Sequence, residues 1–210
     1  MTPRRIEREG NGVAALPESR RTQLTVDQYL ALDAEGQIRH EYYQGAIIAM
    51  TGASYNHTTI TGNLQGELHG QLRGRSCQSR ASDVRVQVSA SMYVYPDVVI
   101  ACGEQRYLEP DAKITLLNPT VLIEVTSPST ELHDRRVKAS AYRELPSLQA
   151  FLLIAQDEPR VEVYSRRGDF WTVTDYRGLD GVIALDAIAC TLTLASIYDR
   201  VSFDAADEDA

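Results

Sequence analysis

Two stretches of this chain are apolar enough to be buried, yet each carries a carboxylate. They read Tyr95-Pro96-Asp97-Val98-Val99-Ile100-Ala101 and Thr120-Val121-Leu122-Ile123-Glu124-Val125-Thr126. Their β-branched composition predicts two buried strands. An ionised carboxylate in such a place is costly unless it is paired, hydrogen-bonded or bound to a cation. Strand periodicity sets Glu124 on the face opposite Val121, Ile123 and Val125. Asp97 follows a proline at the start of its strand, a position that proline tolerates. Two acids at one end of a sheet suit a hard divalent cation with oxygen ligands, such as Mg²⁺. Either acid alone reads more simply, Asp97 as a turn residue and Glu124 as an edge charge. Taken with the segment that follows, they favour a site.

That segment runs from Ser127 to Leu145 and is closed by Pro146. Val137, Ala141 and Leu145 recur every four residues, which predicts an amphipathic helix stopped by the proline. Asp134, Lys138 and Tyr142 form a parallel stripe. The stripe is either an exposed Asp-Lys pair or a lysine reaching towards the two acids.

Pro96-Asp97, the run Glu124-Val125-Thr126-Ser127-Pro128-Ser129-Thr130, and then Asp134, Lys138 and Tyr142 resemble the Uma (Uma-two) family of the PD-(D/E)XK restriction-endonuclease-like superfamily. The resemblance runs from about Leu24 to Val201. It implies an α/β fold: a mixed β-sheet flanked by helices around an αβββαβ core, with an N-terminal hairpin and C-terminal strand additions. It implies that Asp97 and Glu124 bind metal, with the Val125 carbonyl as a further ligand, and that Mg²⁺ or Mn²⁺ is the cofactor. Thr126 stands where the superfamily usually has a lysine, and the resemblance moves that role to Lys138. Glu41, His57, Asp83, Ser127, Asp134 and Tyr142 are then candidates for the rim or for supporting positions. From its residues alone Glu41 reads equally as a solvated strand acid, and His57 as a capping or packing residue.

Along the chain, Thr25-Val26-Asp27-Gln28 fits a capping box that opens a short helix. Residues 42–48 predict two short strands around Gln44-Gly45. Ile60, Leu64, Leu68 and Leu72 predict a longer helix beginning near His57, in spite of Gly62, Gly66 and Gly70. Residues 83–88 alternate as a half-buried strand, with the Asp97 strand as a candidate hairpin partner. Residues 150–154 and 161–164 predict strands, residues 166–173 a terminal hairpin turn and strand, and Leu192, Leu194 and Ile197 a last strand and short helix. The expected organisation is a basic disordered arm over 1–22, a single domain over 23–201, and an acidic disordered tail over 202–210.

The net charge of -8 is not that of an ordinary nucleic-acid binder. Residues 1–22 carry five arginines and three glutamates, and residues 204–209 four acids, so the remainder carries -8 + 4 - 2, or -6. DNA contact must therefore come through a local basic patch or through metal ions. No apolar run is long enough to span a bilayer, and no signal-peptide core opens the chain. Cys77, Cys102 and Cys190 are scattered and odd in number, which reads as buried thiols in a reducing cytoplasm. The expected function is metal-dependent endonucleolytic hydrolysis of DNA by a cytoplasmic protein, with a homodimer favoured if both strands are cut. The alternative is a non-catalytic nuclease-fold module that binds nucleic acid or a protein partner.

Overall fold

The computed structural model describes residues 23–36, 38–50, 52–81, 83–108, 115–127 and 134–203. The basic arm, residues 128–133 and most of the acidic tail lie outside the described residues. The chain begins with α1 (Val26–Glu35), β1 (His40–Tyr43), β2 (Ala46–Ala49), α2 (Tyr55–Leu72), β3 (Cys77–Ala81), β4 (Arg85–Ser89), β5 (Met92–Val94) and β6 (Val98–Cys102). It continues with β7 (Thr115–Leu116), β8 (Val121–Thr126), a π-helical turn (Asp134–Lys138), α3 (Ala139–Glu144), β9 (Ala150–Ala155), β10 (Arg160–Arg167) and β11 (Phe170–Arg177). It closes with β12 (Val182–Leu185), β13 (Cys190–Thr193) and α4 (Leu194–Ile197).

The strands form a six-stranded sheet in the order β11-β10-β9-β8-β6-β3, a five-stranded sheet in the order β2-β1-β5-β4-β7, and the β12-β13 pair. Both larger sheets are mixed: β8 runs parallel to β9 and β4 parallel to β7, and the remaining pairs are antiparallel.

The central strands of the six-stranded sheet are covered on both faces, which is why β6 and β8 read as nearly unbroken apolar runs. Val98, Ile100, Val121, Ile123 and Val125 pack with Ile60, Leu64, Leu68 and Leu72 of α2 and with Leu192, Leu194 and Ile197. Val99, Ala101 and Leu122 pack on the other face with Val86, Val88 and Val94 of the five-stranded sheet and with Tyr142 and Leu145. Tyr29 of α1 stacks on Tyr42 at 5.0 Å and covers the outer face of the five-stranded sheet. Thr25 and Gln28 form the capping box of α1.

Several expectations need correction. The strand expected over 83–88 begins at Arg85, and its hairpin partner is β5 rather than the Asp97 strand. Between β5 and β6 the chain crosses from one sheet to the other through Tyr95-Pro96-Asp97. Pro96 has no N–H to continue a ladder, which suits a crossing point. Arg85, which alternation turns to solvent, is buried because α1 covers that face. Of the helix expected between Ser127 and Leu145, residues 128–133 lie outside the described residues; Asp134–Lys138 is π-helical rather than α, and Ala139–Glu144 is α-helical. Cys77 and Cys102 lie opposite each other on β3 and β6 and form a disulfide, and Cys190 is a buried free thiol. Two of the three cysteines therefore no longer support the argument for a reducing compartment. Among the described residues no helix is long and apolar enough to cross a membrane.

Candidate active site

The crossing from β5 to β6 leaves Asp97 immediately before β6, beside the far end of β8. One oxygen of its carboxylate accepts the Val125 N–H at 2.7 Å, and the other lies 3.0 Å from His57 Nε2. Asp97 is thereby held from the strand that carries Glu124 and from the first turn of α2. Ser54 caps that turn, its hydroxyl accepting the His57 N–H at 3.1 Å. The contact with Asp97 raises the His57 pKa above the ordinary imidazole value, against the opposing effect of partial burial.

Glu124 projects from β8 on the side of Leu122, away from Val121, Ile123 and Val125, as its alternation predicts. The Tyr142 hydroxyl donates to its Oε1, and Lys138 Nζ lies 3.4 Å from the same oxygen. Lys138 also reaches Glu41 Oε1 at 2.8 Å and Asp134 Oδ1 at 3.5 Å. One ammonium therefore sits among three carboxylates, all of them buried. Glu41 lies within β1 and is held from behind by the Tyr95 N–H at 3.2 Å. The π-turn that carries Asp134 and Lys138 is a form often met at functional positions in helices.

The electrostatics follow from burial and from the excess of acids. Desolvation drives the Glu124 pKa well above the ordinary carboxylate value, and Asp134, Asp97 and Glu41 add to the rise while Lys138 opposes it. Burial works against the Lys138 ammonium, but Glu124, Glu41 and Asp134 more than offset it and hold its pKa above the lysine range. Desolvation, reinforced by Glu124, lifts Tyr142 well above the phenol value, so it serves as a neutral donor.

Asp97, Glu41, Glu124 and Asp134 bring four potential negative charges, against Lys138 and, when protonated, His57. Among the described residues the balance is then -4 + 2, or -2. An excess of this kind is costly unless a proton on Glu124 or a further cation offsets it, and oxygen donors suit a hard ion such as Mg²⁺. In charge and donor chemistry these residues fit a divalent ion. Among the described residues no three acidic, histidine or cysteine side chains stand ready around one point, and it is the Lys138 ammonium that lies among the carboxylates.

The structure thus brings together Asp97, Glu124, Lys138, Glu41, His57, Asp134 and Tyr142. Ser127 follows β8 directly and is partly buried. Asp83 stands apart: its side chain is 86% exposed on the turn before β4, 3.9 Å from Arg39. Thr126 is buried, and its hydroxyl donates to the Ile154 carbonyl at 3.3 Å. Residues that sequence reasoning missed are Tyr95, which ties Glu41 by its backbone, and Glu162, which carries a buried charge on β10. The Val161-Glu162-Val163 alternation held a signal for the latter, because it sets one acid on the same kind of strand face as Glu124.

Comparison with known proteins shows the family and the fold. The chain is 31% identical over 195 residues to the uncharacterized protein slr1290 of Synechocystis, covering 91% of this chain and all of that protein. It is 35% identical over 157 residues to the uncharacterized protein sll1609 of the same organism, covering 74% of this chain and 88% of that one. The fold matches the crystal structure of a putative nuclease belonging to DUF820 from Anabaena variabilis, with a TM-score of 0.67 at 20% identity, over 83% of this chain and 97% of that one. The family model described as Uma2, putative restriction endonuclease, matches residues 26–196, and the chain belongs to the Uma2 family.

Proposed function

We propose that this chain is a metal-dependent endonuclease that hydrolyses DNA phosphodiester bonds, with Mg²⁺ as its ion and Mn²⁺ as a working substitute. Membership of a family described as putative restriction endonucleases supports nuclease function in general. The observation that carries the metal is that, among the described residues, three buried carboxylates, Asp97, Glu41 and Glu124, face Lys138 and a partly exposed His57.

Asp97 and Glu124, with the Val125 carbonyl, are the residues that would hold the ion. Bound there, a divalent ion polarises a phosphoryl oxygen and lowers the pKa of a water. The rest falls to the chain's own side chains. His57 and the Val125 N–H fix the Asp97 carboxylate from two sides. Tyr142 fixes Glu124 by donating to it. Lys138 is the buried cation nearest both Glu41 and Glu124. It orients the attacking water and stabilises negative charge as it develops on the phosphorus oxygens. Thr126 has no charge to offer, and its hydroxyl proton goes to the Ile154 carbonyl, so the strand lysine of the PD-(D/E)XK pattern has its counterpart on the helix. Cutting both strands of a duplex needs two such centres, so a homodimer is the assembly proposed for that reaction.

The test is cleavage of plasmid and single-stranded DNA with Mg²⁺ or Mn²⁺, repeated on Asp97→Asn and Lys138→Ala. Metal-dependent cleavage that falls at least about a hundredfold in each variant is the expected result. Adding Thr126→Lys to Lys138→Ala should restore part of it. Full activity in Lys138→Ala would remove the lysine from the mechanism. The net charge of -8 favours one other reading, a non-catalytic nuclease-fold module. DNA or protein binding with no cleavage under any divalent ion would establish that reading instead.

A further inference from the structure

Two cations on the lysine-bearing turn come down onto a single row of the six-stranded sheet. Cross-strand register sets Glu124 beside Leu153, Leu153 beside Glu162, and Glu162 beside Asp175. Residues directly opposite one another project to the same face, so these four share the face that α3 covers. Lys138 reaches Glu124, and Arg135 reaches both carboxylate oxygens of Glu162. The two acids sit two strand spacings apart, about 9.5 Å.

Glu162 is itself held firmly from the sheet. Arg160 donates to its Oε1, and the Tyr164 hydroxyl donates to its Oε2 at 3.0 Å. Arg160 is anchored in turn on Asp175 at 3.0 Å. The turn is less secure by itself. It is a single π-turn followed by a six-residue helix, and a helical segment this short depends on tertiary contacts. Tyr142 and Leu145 seat the helix that follows, Lys138 ties the end of the turn to Glu124, and Arg135 adds a hold on Glu162 nearer its start.

We propose that Glu162 is a positioning residue: through Arg135 it holds the Asp134–Lys138 turn in register over the sheet so that Lys138 stands against Glu124. Only the activity arm of the test rests on the nuclease reading. The arm that does not is amide hydrogen exchange of Glu162→Gln and Arg135→Gln, with Arg177→Gln as the control. Arg177 touches Asp175 and Glu158 but neither Glu162 nor the turn.

In Glu162→Gln and in Arg135→Gln, exchange across residues 134–138 should rise about tenfold while β8 and β9 keep wild-type protection. Arg177→Gln should leave the turn within about twofold of wild type, and Arg135→Lys should recover part of the lost protection. With substrate, kcat should fall about tenfold in Glu162→Gln at little change in KM, because a displaced lysine costs rate rather than binding. Wild-type exchange in the turn of Glu162→Gln would overturn the proposal. So would a loss of protection spread evenly over β8, β9 and β10, which marks a merely structural role. A wild type that cleaves nothing defeats the nuclease reading alone, since the exchange pattern still decides the positioning.

Discussion

Tyr95 touches two buried charge clusters of different composition: its hydroxyl donates to Asp33, and its backbone N–H donates to Glu41. In the first cluster Asp33 and Arg85 meet at 2.7 Å, with side chains 0% and 3% exposed. Asp33 also accepts the His40 N–H at 3.1 Å, and Arg85 Nε donates to Thr115 Oγ1 at 2.8 Å. One acid faces one guanidinium, and the surrounding donors and acceptors complete the set. In the second cluster Glu41, Glu124 and Asp134 surround a single ammonium, with Asp97 and His57 alongside. Burial is comparable in the two, so burial alone does not mark a functional site. Among the described residues charge balance separates them: Asp33 and Arg85 join α1 to β4 as one acid and one cation, and the second set holds more acids than cations.

The largest expected effect tests that balance directly. Arg85→Met leaves Asp33 buried without its cation and should cost about 3–5 kcal/mol of stability, measured by urea unfolding. Lys138→Met removes the other buried cation and should also destabilise the metal-free protein. The two variants should then part company when Mg²⁺ or Mn²⁺ is added. The ion can replace the ammonium among three carboxylates, so stability returns in Lys138→Met, while Arg85→Met gains no more than wild type. Equal metal responses in both variants would abolish the distinction between the clusters.

Next in size is the metal response itself. Added ion should stabilise the wild type by about 2.7 kcal/mol at a hundredfold excess over its dissociation constant. Asp97→Asn should lose most of that gain, as read by thermal unfolding at fixed ionic strength. Its metal-free stability should match or slightly exceed that of wild type. The asparagine oxygen still accepts the Val125 N–H, its amide can face a neutral His57, and one repelling charge is gone. A destabilised variant with an intact metal response would make Asp97 a structural turn residue.

A smaller effect concerns pH. Glu124 has a folded-state pKa above its unfolded value, chiefly through desolvation, so the folded state holds its proton more tightly. Its contribution to stability is therefore full below the unfolded carboxylate pKa, about 4.3, and is lost as pH rises towards the folded value. In EDTA the wild type should lose stability above that point, with a slope of at most about 1.4 kcal/mol per pH unit for one proton. Glu124→Gln should flatten the slope, and an unchanged slope would shift its origin to another group.

What the sequence disclosed, and what it hid, follows the same division. Glu124 was legible because one polar residue interrupts an alternating apolar strand, and Lys138 because it shares a four-residue spacing with Asp134 and Tyr142. Both signals are local. Asp33 and Arg85 were not legible, because each looks like a solvent residue on an amphipathic element. Only α1 lying over the five-stranded sheet buries them. The division into two sheets was hidden for a similar reason. Two alternating strands in succession suggest a hairpin, and nothing within them shows that β5 takes that place before the chain crosses at Pro96. The Cys77–Cys102 bond depends on β3 lying beside β6, a pairing between segments separated by two other strands.

The smallest expected effect belongs to Asp83, the acid that the resemblance suggested and the structure sets apart. Its side chain is 86% exposed, and its one ion pair, with Arg39, spans 3.9 Å. An exposed pair of that kind contributes between about 0 and 1 kcal/mol, and surface substitutions generally stay within about 0.5 kcal/mol. Asp83→Ala should therefore leave unfolding, metal response and cleavage close to wild type. One route could make it matter. The Arg39 guanidinium lies 5.8 Å from the centre of the Tyr95 ring, and the Tyr95 backbone holds Glu41. Freed from Asp83, Arg39 could shift over that ring and move Glu41 with it. Cleavage by Asp83→Ala and by Arg39→Gln, measured side by side, decides the matter. If both variants fell about tenfold in kcat with stability intact, the unmatched cluster would extend through Tyr95 to the surface. If neither changed, the boundary between a buried acid that needs a cation and an exposed one that needs none would lie at Glu41.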